Sequence, residues 1–483
     1  MEFLCCCICC GEIARMTRGQ SNATNSNGDS QDSIPVTKLF AHFVSSTTYG
    51  ILSSTVKAKL KELLLDYIGV ASGAAVQSES SKLILTAIQS LGANGSNTVI
   101  CKGRGFTAPY AALLNGAFGH SFDFDDTHLA GVLHPGVSVI PAALAEAETK
   151  QASGESLLTA LAVGYEVTCR LGLALSDKAY ARGFHNTSTA GIFGAVAAIA
   201  KLRNLPPEIV EMAFGIAGSK AAGSMQYLEN GSWNKRLHPG FAAHDAFLCV
   251  ALAEAGVLGA TKILEGRFGF LHAYTTNEEV DYAALVRNFG SDWAFTSTAL
   301  KPFPGCRMTH TAIEIAGNMR VTDLSPRDIE KVTVAIKPTM WQVVGVPVPN
   351  KLHPQNEVDA QFSIYYQTAV ALLDGSNTGW QVYSRMRDQD VHDLLDKITV
   401  VKDASFKSME TRLTVRWKDG TEKTEMLVAP LGEDENRFSL EKVVAKYMSL
   451  AGPVFGEGKA RKIREIIDSV EDHKVEELTS LIA

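Results

Sequence analysis

The sequence predicts a mainly α protein with a large all-helical domain and a smaller α+β domain. From Val36 to about Ala294, apolar residues recur every three or four positions, as they do in helices. After Lys301 several short runs alternate between apolar and polar residues, as half-buried strands do. A chain of 483 residues, 46% of them hydrophobic, is long enough for more than one domain.

The helical part is a succession of apolar segments that are rich in Ala and Gly. In VKAKLKELLLDYIGVA (56–71), Leu60, Leu63, Leu64 and Ile68 have helical spacing. Similar segments follow, among them TAPYAALLNGAFGHSF, PGVSVIPAALAEAETK and TAGIFGAVAAIAKL. Small residues let helices approach closely, so we expect a dense core. Only NTVIC (97–101) is strand-like in this part.

The smaller domain contains four predicted strands and one predicted helix. Two strands lie in IEKVTVAIKP (329–338) and KITVVKD (397–403). Two more, TRLTVRW and TEKTEMLVA, flank the turn Lys418-Asp419-Gly420 and predict a β-hairpin. DAQFSIYYQTAVALLDG (359–375) predicts a helix that packs on this sheet.

Four regions follow from these patterns. We expect a disordered leader at 1–33, the helical domain at 34–297, the α+β domain at 298–430 and C-terminal helices at 431–483. The last helices would return to the helical domain, which makes the α+β domain an insertion.

Five of the nine cysteines lie in the first ten residues, MEFLCCCICC, which is not a secreted disulfide framework. Palmitoylation is possible at a cluster of five positions, Cys5, Cys6, Cys7, Cys9 and Cys10. The leader resembles neither a signal peptide nor a mitochondrial presequence. We therefore expect a cytoplasmic protein, with a mitochondrial location as the alternative.

The charge pattern excludes several partners. The formal net charge is −7 and no block of Lys and Arg is present, so nucleic acid is not an expected partner. No run of 18 apolar residues is present, so we predict no membrane span.

One polar stretch between apolar segments indicates a functional site: GHSFDFDDTHLAGVLHPG (119–136). It concentrates the residue types that move protons and hold ligands. Its His, Asp and Thr side chains are those of His120, Asp123, Asp125, Asp126, Thr127, His128 and His134. The alternative is a set of helix caps and a satisfied polar network.

Three further polar islands interrupt apolar sequence. They contain His185, then Lys235, Arg236, His238 and His244, and finally Lys301, Arg307 and His310. A helix cap, a solvated charge pair and a basic linker are the respective alternatives. Together these cations and imidazoles predict a pocket for a small di- or tricarboxylate.

Two cofactor interpretations are disfavoured. Gly103-x-Gly105-x-x-Ala108 mimics a dinucleotide fingerprint, but helices follow it where a second parallel strand is required. The spacing D-x-D-D-x-H fits neither a helical metal-ligand pair nor a calcium loop. We therefore expect no cofactor and no metal.

Four motifs resemble those of the MmgE/PrpD family, which includes cis-aconitate decarboxylases and 2-methylcitrate dehydratases. They are HSFDFDDTH…HPG (120–136), GFHNTSTAGIFGA (183–195), NKRLHPGFAAHDA (234–246) and LKPFPGCRMTH (300–310). The resemblance covers roughly residues 35–483. It implies a large helical domain with a smaller α+β lid, usually as a homodimer. DFDDT and HPGVS favour the decarboxylase-like branch over the dehydratases.

The resemblance also implies roles for individual residues. The catalytic set would be Asp123, Thr127, His134, His185, Lys235 and Lys301. We predict substrate binding by Arg236, His238, Arg307 and Trp341. A tyrosine of the decarboxylase branch falls near Trp341, so an indole would replace a phenol.

The implied function is a cofactor-free lyase that acts on cis-aconitate or an alkylated analogue. The product would be itaconate-like, and the implied role is in secondary metabolism built on alkylcitrates. The first alternative is a 2-methylcitrate or alkylcitrate dehydratase. The second is a non-catalytic family member that binds carboxylates.

Overall fold

A computed structural model of the chain describes residues 34–275, 280–320, 326–376, 379–433 and 436–483. The predicted fold class is confirmed. Helices dominate the described chain, and its strands form one two-stranded and one four-stranded sheet. The cysteine-rich leader, with its predicted palmitoylation sites, lies outside the described residues.

The first part of the chain contains twelve α-helices among its described residues. They are α1 (Val36–Ser46), α2 (Ser54–Gln77), α3 (Glu79–Ser90), α4 (Ala108–Ser121), α5 (Gly136–Thr149), α6 (Gly154–Ala181), α7 (Asn186–Thr189), α8 (Gly191–Leu202), α9 (Pro207–Ala217), α10 (Asn234–Glu254), α11 (Phe270–Thr275) and α12 (Tyr282–Val286). Side-chain caps define three of their starts: the Ser53 hydroxyl accepts from the Val56 amide, the Ser153 hydroxyl from the Ser156 amide, and the Asp281 carboxylate from the Ala284 amide.

Glycines allow α4 and α10 to cross at very short range. A Cβ atom on Gly116 would lie 3.0 Å from the Gly240 backbone, and one on Gly240 would lie 2.4 Å from the Leu113 carbonyl oxygen. Only glycine fits at this crossing. The crossing fixes the first turn of α10, which carries Lys235, relative to the end of α4, which carries His120.

The strand-like run in the helical part pairs locally. Strands β1 (Asn94–Val99) and β2 (Gly103–Phe106) form an antiparallel hairpin. The glycines of the dinucleotide-like motif therefore belong to a hairpin strand rather than to the start of a helix.

The smaller domain, called the lid domain below, wraps short helices around a mixed sheet. Its helices are α13 (His310–Met319), α14 (Pro338–Met340), α15 (Pro349–Leu352), α16 (Glu357–Gln361), α17 (Ile364–Asp374) and α18 (Gln389–Leu395). Its strands are β3 (Ile329–Ile336), β4 (Ile398–Lys402), β5 (Thr411–Trp417) and β6 (Glu422–Leu427). The order is β4-β3-β5-β6, with β3 parallel to β4 and the other pairs antiparallel.

The prediction of a single helix over 359–375 is wrong in one respect. The structure divides it into α16 and α17, with Phe362 and Ser363 between them. The Ser363 hydroxyl accepts a hydrogen bond from the Tyr366 amide at 3.0 Å and so caps α17. This break places Phe362 at the boundary with the helical domain.

The C-terminal helices α19 (Leu440–Phe455), α20 (Glu457–Asp468) and α21 (Val475–Ile482) pack against the helical domain. Val443, Tyr447 and Ile463 share its core with Leu64 and Ile68. One helix, α6, is long and apolar enough to cross a membrane by length and composition, but most of that window is buried inside the protein.

Candidate active site

The polar stretch forms the loop between α4 and α5, and residues at the start of the lid domain hold it. Thr127 pairs with Ala299 in a β-bridge with amide-to-carbonyl distances of 2.9 and 2.7 Å. Asp123 has a left-handed backbone (φ +50°). Its carbonyl oxygen accepts from the Gly305 amide and the Lys301 ammonium group, both at 2.9 Å. These contacts stabilise a backbone conformation that is uncommon for residues other than glycine.

Two lysines converge on one oxygen of the Asp123 carboxylate. Lys301 Nζ lies 2.6 Å and Lys235 Nζ 2.8 Å from Asp123 Oδ1, and all three side chains are buried. Burial alone would raise the pKa of Asp123, but the two ammonium groups outweigh it and hold this pKa well below its usual range. Asp123 is therefore ionised at neutral pH, and two cations facing one carboxylate leave an excess positive charge.

The two lysines differ in how their protons are used. Lys301 donates to Asp123 O, Asp123 Oδ1 and Gly305 O at 2.9, 2.6 and 3.0 Å. These bonds occupy all three of its N–H groups, and the residue has no exposed surface. Among the described residues, Lys235 Nζ has no aligned hydrogen-bond partner despite its ion pair with Asp123. Lys235 can therefore donate to a ligand, whereas Lys301 holds Asp123 in place.

His134 directs its Nε2 atom toward the same carboxylate. Its Nδ1 atom lies 2.9 Å from the Asp126 carbonyl oxygen and 3.1 Å from Asp125 Oδ2. Both neighbours are acceptors, so we assign the proton of the neutral ring to Nδ1. Nε2 lies 4.0 Å from Asp123 Oδ1. Burial lowers the pKa of His134, and the Asp125 carboxylate opposes that shift.

Asp125 serves a second imidazole, that of His120. His120 Nδ1 lies 2.9 Å from Asp125 Oδ2, and burial lowers the pKa of His120 to about 3. Burial would raise the pKa of Asp125, but the two imidazoles hold it well below its usual range. The His120 ring lies 4.8 Å from that of His134 and 5.7 Å from that of His185, measured between centroids. His120 and Asp125 thus pack next to the imidazole rings of His134 and His185.

His185 precedes α7 and contacts a neighbouring imidazole. His185 Nδ1 and His238 Nδ1 are 3.0 Å apart, so one of them donates to the other. Burial lowers the pKa of both rings, that of His238 to about 4, and Lys235 adds to the effect. Both rings are therefore neutral at neutral pH, and His238 orients His185.

An inner cavity of about 110 Å³ lies between the helical and lid domains. Five of the six predicted catalytic residues line it: Asp123, Thr127, His134, His185 and Lys235. Buried polar atoms normally have hydrogen-bond partners. Among the described residues, Asp123 Oδ2, Thr127 Oγ1 and Lys235 Nζ have none. This group of unpartnered atoms indicates that a polar ligand binds in the inner cavity.

Two of the predicted substrate-binding residues lie away from the inner cavity. Arg236 donates to Ser80 Oγ at 2.8 Å and to Glu357 Oε2 at 3.2 Å. Trp341 is half-buried in the lid domain, with Lys402 Nζ 3.9 Å from its ring centroid. Neither residue lines the inner cavity, because each is held by neighbours elsewhere.

The other two predicted substrate-binding residues are already engaged by the protein. Arg307 lines the inner cavity, but its guanidinium group donates to Glu433 Oε1 at 2.9 and 2.7 Å and to the Leu431 carbonyl oxygen at 3.0 Å. His238 does not line the cavity and contacts it only through His185.

Two residues that sequence reasoning did not single out complete the site. Tyr180 follows the kink of α6 at Ser176 (φ 51°) and lines the inner cavity. Burial raises the pKa of the Tyr180 phenol, so this group stays protonated. Lys446 of α19 pairs with Asp66 Oδ1 and donates to the Phe124 carbonyl oxygen, both at 2.7 Å. Lys446 thereby ties the C-terminal helices to the loop between α4 and α5.

The site also brings together side chains that could be considered for a metal ion. Ligand atoms lie within 4.8 Å of one another in two overlapping groups: His120, Asp123, Asp125 and His134, and His120, His134 and His185. Two ammonium groups already lie against Asp123, and a further cation there would be repelled. The arrangement suits an anionic ligand better than a metal ion.

Two family models match consecutive parts of the chain. The MmgE/PrpD N-terminal domain matches residues 38–283, and the MmgE/PrpD C-terminal domain matches residues 303–472. The chain belongs to the MmgE/PrpD family. The resemblance inferred from the four motifs is therefore confirmed.

Similar proteins of this family are cis-aconitate decarboxylases. The chain is 29% identical over 470 residues to the cis-aconitate decarboxylase of Aspergillus terreus. The aligned region covers 92% of this chain and 95% of that protein. It is 28% identical over 481 residues to a cis-aconitate decarboxylase-like protein of Aspergillus oryzae, covering 94% and 98%. It is 28% identical over 449 residues to the cis-aconitate decarboxylase of Homo sapiens, covering 90% and 92%.

Proposed function

We propose that this protein is a cofactor-free carbon–carbon lyase that decarboxylates cis-aconitate or an alkylated analogue to an itaconate-type product. The observation that carries the proposal is the buried Lys235 ammonium group, which is paired with Asp123 but makes no aligned hydrogen bond among the described residues, in a cavity that His134 and His185 also line. Similarity to cis-aconitate decarboxylases over most of the chain supports it. A role in secondary metabolism, on substrates derived from alkylcitrates, is the finer part of the proposal.

cis-Aconitate supplies its own electron sink, so this chemistry needs no cofactor. Cleavage of the bond to one terminal carboxylate releases CO₂, and its electron pair forms a new terminal double bond. The original double bond then delivers its electrons to the carbon beside the other terminal carboxylate. One proton is added at that carbon. A trianion and a proton thus give the itaconate dianion and CO₂.

The negative charge that develops on the remaining carboxylate requires a cation. Lys235 has free N–H groups for this purpose, and charge stabilisation of this kind is a large part of enzymatic rate enhancement. Thr127 Oγ1 would donate to a substrate carboxylate. Lys301 would not contact the substrate directly, because its N–H groups donate to Asp123 and Gly305. It would act by holding Asp123 in place.

His134 is a better proton donor than His185, which also lines the cavity. A trianionic substrate raises the pKa of a nearby imidazole, because negative charge favours the imidazolium form. The Asp125 carboxylate, 3.1 Å from His134 Nδ1, stabilises the same form. His185 has no comparable partner, since its Nδ1 atom faces His238.

Incubation of the purified protein with cis-aconitate and with 2-methylcitrate, followed by mass detection of the products, tests the proposal. We expect loss of CO₂ from cis-aconitate. His134→Ala and Lys235→Ala should abolish this activity with little loss of folded protein. Activity that survived in both variants would refute the assigned site.

Dehydration of 2-methylcitrate or an alkylcitrate is the second candidate. The His134 and His185 rings are 6.4 Å apart between centroids, which would let one remove a proton while the other protonates a leaving hydroxyl. Loss of water rather than CO₂ in the same experiment would favour this reaction. Binding of both compounds without turnover would identify a non-catalytic carboxylate-binding protein.

We also propose that the protein is a cytoplasmic homodimer. Helix α10 exposes Phe241 and Leu248, two turns apart and each 48% exposed, which suits a self-complementary contact. Light scattering on the purified protein should give twice the chain mass, and Phe241→Glu should lower it. A monomeric wild-type protein would contradict the proposal.

A further inference from the structure

A wider cleft of about 690 Å³ lies outside the inner cavity. It is called the outer cleft below. Five residues line both spaces: Leu129, Val132, Tyr180, Met308 and Met409. The outer cleft and the inner cavity are therefore adjacent, with these side chains at their boundary. Four of the five shared residues are apolar, so the boundary between the two spaces is mainly apolar.

The outer cleft has an apolar floor. Met225, Met340 and Val343 line it and are only 8%, 2% and 9% exposed, and Leu228 beside them is half-buried. Methionine side chains are flexible and adapt to apolar ligands of different shape. A small polyanion gains nothing from such a surface, whereas an alkyl chain gains binding energy with every methylene that it buries.

The rim of the same cleft is polar and open to solvent. Asp177, Gln226 and Gln342 line it and are exposed. Binding sites for amphiphilic small molecules combine an apolar wall with a few polar groups in this way. Charged side chains of both signs also line the outer cleft, namely Arg182, Lys337, Lys407, Asp177 and Glu229. The buried, unpartnered polar atoms of Lys235 and Thr127 lie in the inner cavity.

We propose that the outer cleft binds an alkyl chain carried by the substrate, so that alkylated tricarboxylates are preferred over unsubstituted cis-aconitate. The chain would leave the inner cavity between Leu129, Val132, Met308 and Met409 and lie on the methionine-rich floor. This inference rests on the proposed function for the position of the carboxylate head group.

Binding of unreactive probes tests the inference without any turnover. Succinates with linear alkyl chains of four to ten carbons present a dicarboxylate head and lack the double bond that decarboxylation needs. We expect the dissociation constant, measured by calorimetry, to fall roughly two- to fourfold for each added methylene. A dissociation constant that does not change with chain length, or that rises, would overturn the inference.

A paired substitution locates the chain. Leu228→Glu puts a carboxylate on the floor of the outer cleft, outside the inner cavity. It should remove most of the dependence on chain length. Leu258→Glu makes the same chemical change at a side chain that is 86% exposed and lies outside the cleft, and should preserve that dependence. Equal behaviour of the two variants would place the chain elsewhere and refute the inference.

The inference and the proposed function fail in different ways. Chain-dependent binding that Leu228→Glu removes, without release of CO₂ from any substrate, would support the outer cleft and refute the lyase. Release of CO₂ from cis-aconitate, together with binding that ignores chain length, would support the lyase and refute the outer cleft.

Discussion

Two lysines face the Asp123 carboxylate, and we predict that Lys301 stabilises the fold whereas Lys235 serves catalysis. Replacing Lys301 with Met tests this difference. The Met side chain is similar in length and apolar, so the change removes one charge and three donated hydrogen bonds with little loss of volume. Lys235→Met is the matched comparison, because Lys235 faces the same carboxylate oxygen but makes no aligned hydrogen bond.

The expected magnitude follows from the burial of the group. Removing one partner of a fully buried ion pair costs about 3–5 kcal/mol, since an undercompensated charge remains. Lys301 and Asp123 are 0% and 2% exposed, so Lys301→Met should lower the free energy of unfolding by about that amount. Lys235→Met leaves the bonds between Lys301 and Asp123 intact. It should lower stability by less than about 2 kcal/mol, but reduce kcat/KM more than about 100-fold.

Urea unfolding followed by circular dichroism measures the first effect, and release of CO₂ measures the second. Adding Asp123→Asn to Lys301→Met should restore part of the stability, because no buried carboxylate remains, but should not restore activity. Equal losses of stability in the two lysine variants would refute the distinction between them. So would a Lys301→Met protein as stable as the wild type.

The pH dependence of this stability has a defined sign. Because the pKa of Asp123 is depressed in the folded state, its contribution is complete above the ordinary carboxyl pKa of about 4 and declines as the pH falls toward the folded value. The stability difference between wild type and Lys301→Met should therefore be constant near neutral pH and shrink below about pH 4. A difference that grows on acidification would contradict this reasoning.

Three further predictions concern groups around the same cavity. Asp125→Asn removes the carboxylate that favours the His134 imidazolium, so the pKa of His134 falls. The pH above which kcat decreases should therefore be lower by about one unit or more. An unchanged pH profile would exclude His134 as the acid. Tyr180→Phe should lower kcat/KM about 10-fold or more with unchanged stability, because a phenol donor to a substrate carboxylate is lost; unchanged kinetics would exclude that contact. Lys446→Met should destabilise the protein by about 3–5 kcal/mol and lower kcat, with partial rescue by Lys446→Arg; wild-type kcat in Lys446→Met would show that its bond to Phe124 does not position the loop.

The fold class and the centre of the site could be predicted because their signals are local. Helical spacing and strand alternation are read within windows of ten to twenty residues. Asp123, Thr127 and His134 fall within one polar stretch, which the structure folds into a single loop. The break at Phe362 and Ser363 was missed because the apolar pattern continues across it and only the Ser363 cap interrupts the helix.

The remaining features depend on contacts that are distant in sequence. From its sequence context, Lys301 is predicted to bind substrate. In the structure its three N–H groups donate to Asp123 O, Asp123 Oδ1 and Gly305 O, and none is left for a ligand. Tyr180 lies in an ordinary helical run, and neither the kink at Ser176 nor the contact of Tyr180 with the cavity has a signal in the sequence pattern. The burial of Lys446 could have been predicted, because its spacing places it on the same helix face as the buried Val443 and Leu450. A lysine on such a stripe requires a buried partner.

The most direct test of the account is turnover of cis-aconitate and of an alkylated analogue in heavy water, followed by mass spectrometry of the products. If Lys235 and His134 form a decarboxylation site, each product will have lost CO₂ and gained one deuterium on carbon, and the alkylated analogue will react with the higher kcat/KM. Purified, folded protein that releases CO₂ from neither compound would contradict the account.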